Sequence, residues 1–148
     1  MFLNSSNAQE TPHSGQVKNA IMIELESLIF FGDVAINYER NLISRNNNSF
    51  LLNIKSGFGK YYVAHLQGGD NGPGFKMSLN PLIGNGKNYF EINLGFGLGY
   101  VTYCESYFPC PDWRVMPIVN IGYRFQSVII FRCYVGTLGI GISLGRRF

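Results

Sequence analysis

From about residue 20 onward the chain alternates large apolar residues with small or polar ones, and its glycines fall mostly on the polar side. Phe90, Ile92, Leu94, Phe96, Leu98 and Tyr100 share one parity, while Glu91, Asn93, Gly95, Gly97 and Gly99 share the other. Successive side chains of a β-strand point to opposite faces, so a period of two makes a ribbon with two unlike sides. The same division recurs along the chain. Val34, Ile36 and Tyr38 oppose Asp33, Ala35, Asn37 and Glu39; Phe50, Leu52, Ile54 and Phe58 oppose Asn53, Lys55, Gly57 and Gly59. Val119, Ile121, Tyr123 and Phe125 oppose Asn120, Gly122 and Arg124; Ile140, Ile142, Leu144 and Phe148 oppose Gly139, Gly141, Ser143, Gly145 and Arg147. No window sustains a helical 3.6-residue stripe for three turns.

Eight such runs are predicted, over residues 20–28, 33–42, 50–61, 74–83, 89–103, 114–125, 128–135 and 139–148. Turns fall at 44–49, 84–88 and 126–127, where Asn, Gly and Ser suit tight reversals. A longer glycine-rich loop is predicted over 62–73. Residues 1–18 read as an unstructured polar tail and 19–148 as one domain. Ser6-Asn7-Ala8 carries small residues of the kind found at an export-signal cleavage site, so the tail reads either as the remnant of such a signal or as a polar N-terminus.

Which face lies inside decides the class. A soluble barrel or sandwich packs its bulky side chains inward at crystal-like density and sends Lys and Glu out. Here the small residues sit on the charged face. That suits a narrow closed barrel whose polar side is the interior, since eight strands enclose a space just wide enough for side chains. The apolar side then faces hydrocarbon, where every backbone polar group must be paired within a closed sheet. Runs of about ten alternating residues, with aromatics near their ends, are the pattern of a transmembrane β-barrel. Phe30, Phe31, Tyr38, Tyr61, Tyr62, Tyr89, Tyr100, Tyr103, Phe125 and Phe148 are expected in interfacial belts.

Composition removes the competing classes. The 148 residues are 46% hydrophobic but only 14% charged, against about 25% in soluble domains. The apolar content is too high for disorder. No stretch approaches the roughly 18 apolar residues of a spanning helix. A net charge of +3 gives no nucleic-acid signal.

By parity, Glu24, Glu26, Asp33, Glu39, Glu91, Lys55, Lys76, Arg124, Arg132 and Arg147 face inward. Isolated charges in a narrow lumen are costly, so these are expected to pair into a plug, with Glu39, Glu91, Arg124 and Arg147 in the half nearer the chain ends and Arg132 at mid-height. An ion or proton path is the alternative. Arg40 and Arg146 face outward near strand ends, where a charge costs about 0–1 kcal/mol against roughly 2–4 at the midplane.

The last run, residues 139–148, resembles the C-terminal strand of bacterial outer-membrane barrels, an alternating strand that ends in an aromatic residue. Ile140, Ile142, Leu144 and Phe148 match that pattern, which implies recognition by the barrel assembly machinery; Arg146 departs from it. Asn37-Tyr38-Glu39-Arg40, Pro81-Leu82-Ile83-Gly84 with Phe90-Glu91, and Gly122-Tyr123-Arg124-Phe125 are similar to small outer-membrane barrels of the Bacteroidetes type. The resemblance spans 19–148 and carries no catalytic residues.

Signals for chemistry are sparse. The two histidines are His13, in the tail, and His65, in the predicted loop with Asp70. A lipid-modifying enzyme using His65 would need a nucleophile or carboxylate beside it; no serine is near in sequence, and Ser78 or Glu91 would have to be brought there by the fold. Gly95, Gly97 and Gly99 lie within a strand and open no helix, so they are no dinucleotide fingerprint. Cys104 and Cys110 flank a turn and are either a small disulfide loop or two thiols; Cys133 has no evident partner, and the three lack zinc-site spacing. Outer loops are expected at 27–32, 62–73, 105–113 and 136–138, the third with Tyr107, Phe108, Pro109 and Trp113 as an interface anchor or binding loop.

The sequence thus predicts an all-β, eight-stranded antiparallel up-and-down transmembrane barrel in a Gram-negative outer membrane. It is expected to be monomeric and non-enzymatic, without cofactor, metal or nucleic acid. Outer-membrane lipid and the assembly machinery are its expected partners, with a surface-loop ligand unspecified. A lipid-modifying enzyme and a soluble carrier of an apolar ligand are the alternatives.

Overall fold

The computed structural model describes residues 19–28, 31–45, 48–65, 68–101 and 112–148. Eight strands follow in chain order: β1 (Asn19–Leu28), β2 (Phe31–Arg45), β3 (Phe50–His65), β4 (Gly68–Asn85), β5 (Asn88–Val101), β6 (Asp112–Gln126), β7 (Ile129–Gly136) and β8 (Gly139–Arg147). Each pairs antiparallel with the next, and β8 pairs with β1 to close the barrel. Closure leaves no unpaired edge, which is the requirement a hydrocarbon surround imposes on a sheet. No helix occurs among the described residues.

Alternation translates directly into sidedness. Ile21, Ile23, Leu25, Val34, Ile36, Leu94, Phe96, Ile121, Ile142 and Leu144 are exposed around the outside, and Phe58 reaches 66%. Their neighbours Glu24, Glu39, Lys55, Lys76, Glu91, Arg124 and Arg132 are all at most 3% exposed. The bulk of this molecule's apolar surface is therefore outside, the reverse of a water-soluble fold. An apolar-ligand carrier needs the opposite lining, so that alternative is set aside.

Tight turns sit at the end that bears β1's start and β8's finish. Asn48 (φ 69°) and Gly86 (φ 64°) occupy the left-handed region that such reversals demand. In β2 the pairing shifts between Asn41 and Ile43, a bulge that leaves Leu42 and Ile43 both exposed. The parity expected over 33–42 therefore holds through Leu42, and the bulge turns Ile43, beyond that run, outward as well.

The wall is uneven. β3 and β4 have 16 and 18 residues, while β7 and β8 have 8 and 9. Much of the segment expected as a loop over 62–73 is strand, with Tyr62 paired to Asn71 and Lys60 to Pro73. A spanning strand needs roughly 9–11 residues, so this hairpin projects beyond the band at the end far from the tight turns. Residues 1–18, the centre of the expected 27–32 loop at 29–30, and 102–111, which include 105–111 of the expected 105–113 loop, lie outside the described residues.

Candidate functional site: the charged lumen

Seven of the eight strands contribute to one string of ion pairs along the interior. Lys76 (β4) bridges Asp33 (β2), at 2.5 Å, and Glu24 (β1). Glu24 also accepts from Lys55 (β3) and from Arg132 (β7), each at 3.0 Å. Arg132 continues to Glu91 (β5), its Nε donating at 2.9 Å and its Nη2 also in contact. Arg124 (β6) lies 3.8 Å from Glu91 and grips Glu39 (β2) with both terminal nitrogens, at 2.8 and 2.6 Å.

Amides complete the string. Asn53 donates to Glu39 at 2.8 Å, and Asn80 donates to Glu39 at 3.3 Å and to Glu91 at 3.5 Å. Asn53 pairs with Asn80 across β3–β4 and Asn93 with Asn120 across β5–β6, giving the lumen a row of asparagines. Two-pronged arginine–carboxylate contacts of this kind fix geometry as well as charge. In a dry interior they offset the several kcal/mol that each isolated ion costs.

Two of the ten expected charges stand apart. Glu26 makes no ion pair among the described residues; its Oε2 accepts from the Tyr134 hydroxyl at 3.4 Å, and its Oε1 has no partner. Arg147 is half-buried at the end near the tight turns and joins none of the ion pairs. Its strand finishes there, at Arg147, paired to Ala20 of β1. The carboxylates of Glu24, Glu26 and Asp33 lie within 4.8 Å of one another, a spacing that suits a cation, and the Lys76 ammonium already bridges two of them.

Above and below the charges the bore is filled by uncharged side chains. Toward the tight turns sit Leu51, Leu82 and Tyr89 in one cluster and Ala20, Met22 and Ile130 in another. Toward the far end stand Tyr61 and Tyr134, with Ile118 and Leu138 also buried. Tyr61 and Tyr89 are thus lumen residues and not belt residues. Both occupy inward parity, and Tyr61 lies over Gly74 and Gly97, whose missing Cβ atoms make room for its ring. Tyr134 does the same over Gly141 and stacks beneath the Arg132 guanidinium at 5.2 Å. Among the remaining expected belt residues, Tyr38, Tyr62 and Phe148 are exposed. Tyr100 and Phe125 are intermediate, while Phe30, Tyr103 and the side chain of Phe31 are outside the described residues.

His65 closes β3 opposite Gly68, and its side chain is outside the described set. Ser78 pairs with Lys55, ten positions back along β3, a separation of about 33 Å at 3.3 Å per residue. Ser78 donates within the lumen to Asn80, and Glu91 is held by Arg132, so neither partner considered for His65 is near it. Cys104 and Cys110 are outside the described residues; Cys133 is free and exposed on β7. Ile140, Ile142, Leu144 and Phe148 all face outward along the last strand and its end.

No protein-family model matches the chain, and no curated protein matches it in sequence. Solved structures do match in fold. The outer-membrane protein Ail of Yersinia pestis, determined in a phospholipid bilayer nanodisc, superposes with a TM-score of 0.54 at 11% identity, covering 90% of this chain and all of that one. The N-terminal β-barrel domain of Pseudomonas aeruginosa OprF gives 0.53 at 13% identity, again with 90% of this chain and all of that domain. This chain has the eight-stranded closed fold of those outer-membrane barrels.

Proposed function

We propose that the chain is a non-enzymatic integral protein of a Gram-negative outer membrane, with a closed lumen, acting structurally or through its far-end loops. The observation that carries this is the inversion of polarity: an apolar band all round the outside and ion pairs within. Barrels of this class place short turns on the periplasmic side and longer loops outside. That convention puts the turns at Asn48 and Gly86 in the periplasm and the β3–β4 hairpin at the cell surface. Lumen charges that satisfy one another leave little for a passing ion to bind, and the apolar clusters at one end and the tyrosines toward the other narrow the bore further.

The test has two parts. Extraction should require detergent, and the extracted protein should change mobility on an SDS gel after heating. Reconstituted in a planar bilayer, it should show no discrete conductance steps. Recovery in the aqueous fraction without detergent would refute the membrane assignment; steady unitary conductance would refute the closed lumen.

A further inference from the structure

All five carboxylates whose side chains are described (Glu24, Glu26, Asp33, Glu39 and Glu91) are buried in the lumen. Arg40, Arg45, Lys60, Lys87, Arg114 and Arg146 are exposed, and none of them forms an ion pair among the described residues. Among the described side chains, the exterior therefore presents basic groups and no acidic ones. Four of these six cations lie toward the end that carries the tight turns: Arg45 at the finish of β2, Lys87 in the β4–β5 turn, and Arg40 and Arg146.

Arg40 and Arg146 sit on either side of β1, on outward parity. Arg40 pairs with Asn19, which is hydrogen-bonded through its backbone to Phe148. One step along β1, Ile21 pairs with Arg146 on one side and Tyr38 on the other. The Tyr38 hydroxyl donates to the Asn19 side-chain oxygen at 2.8 Å, which ties the two rows together. The patch thus has two guanidiniums flanking an amide and a phenol, with Ile21 exposed between them and an apolar wall above. Guanidinium forks match phosphate oxygens in pairs.

We infer that this patch docks the phosphate of an anionic glycerophospholipid in the inner leaflet, with Arg40 and Arg146 as the clamp. Headgroup phosphate supplies the acidic partner that the described exterior side chains do not, and the acyl chains lie along the exposed strip of Ile21, Ile23 and Leu144. The departure of Arg146 from the apolar pattern of terminal barrel strands is thereby explained. The inference rests on the membrane reading above.

It is tested on the full chain inserted in nanodiscs of equimolar phosphatidylcholine and phosphatidylglycerol, with the lipid retained after detergent release counted by native mass spectrometry. The retained ratio of phosphatidylglycerol to phosphatidylcholine should exceed the bulk ratio about fivefold per arginine, since each cation near a charged headgroup is worth about 1 kcal/mol. The R40Q/R146Q double variant should retain the two lipids equally, and K60Q, toward the opposite end, should behave as the parent. The heat-dependent gel shift of every sample reports insertion separately. Equal retention by an inserted parent protein, or a preference that survives R40Q/R146Q, overturns the clamp. Absence of the gel shift overturns the membrane reading and the clamp with it.

Discussion

The two faces of a single strand treat charge in opposite ways. On β2, Glu39 points into the bore, is gripped by Arg124 and receives an asparagine on the same carboxylate; its neighbour Arg40 points outward and forms no ion pair among the described residues. Inside, charges are buried and, Glu26 apart, paired with one another across strands far apart in sequence. Outside, they are exposed, basic, and placed near strand ends. The difference teaches that the interior's charges are a structural device, held by one another, while the exterior's answer to the surroundings.

Breaking the interior should be the costliest change. Arg132 serves both Glu91 and Glu24 and lies over Tyr134. Arg132→Ala leaves part of each carboxylate's partnership vacant in a dry site, and removing one member of a buried pair costs about 3–5 kcal/mol. The measure is urea unfolding from lipid vesicles, followed through the emission of Trp113, the chain's sole tryptophan. A loss below about 1 kcal/mol, the scale of solvated pairs, would mean that water reaches the network.

The converse experiment puts a charge on the outer face. Leu94 lies midway along β5 and is 49% exposed. In a soluble protein Leu94→Arg would be nearly neutral. At the midplane of a bilayer it should cost about 2–4 kcal/mol in the same assay. A neutral result would contradict the placement of that face in lipid.

A smaller effect separates the faces by volume. Gly141 leaves space for the Tyr134 ring, so Gly141→Ala drives a methyl into an aromatic that Arg132 covers. Overpacking of this sort costs about 1–3 kcal/mol. Pairing Gly141→Ala with Tyr134→Leu should recover part of the loss, because the smaller side chain no longer occupies that space. Recovery by the double variant would show that the glycine is there for the tyrosine.

The same residues show what could be read from the sequence. Parity alone separated the faces, because a two-residue period is a property of each strand by itself. It does not reach a non-local feature such as the bulge after Asn41, which exposes Ile43 alongside Leu42 just past the expected run. Tyr61 and Tyr89 were assigned to belts because aromatics near strand ends suit an interface, yet both keep inward parity and fill the bore. The small residues on the charged face imply a narrow interior, but parity does not say which side chains fill it: Gly57 borders Lys76, while Gly74, Gly97 and Gly141 make room for tyrosines. Residues 68–73 looked like a loop because glycine and proline are poor strand formers; pairing with β3 overrides that weak preference. Which acid meets which base was not legible, since Glu24 and Arg132 meet only once the barrel closes.

The finest test concerns Arg40. Its outward charge sits near the end of the band, opposite Asn19, where the residues that follow diverge through the bulge. Arg40→Leu should change stability in phosphatidylcholine vesicles by no more than about 1 kcal/mol, since an outward cation near the interface costs 0–1 kcal/mol and an uncharged headgroup returns little for it. In phosphatidylglycerol vesicles the same substitution should be the more destabilising of the two, and added salt should shrink the gap because screening weakens attraction between exposed charges. A difference that persists unchanged at high salt would place Arg40 deeper, against a partner that water and ions do not reach.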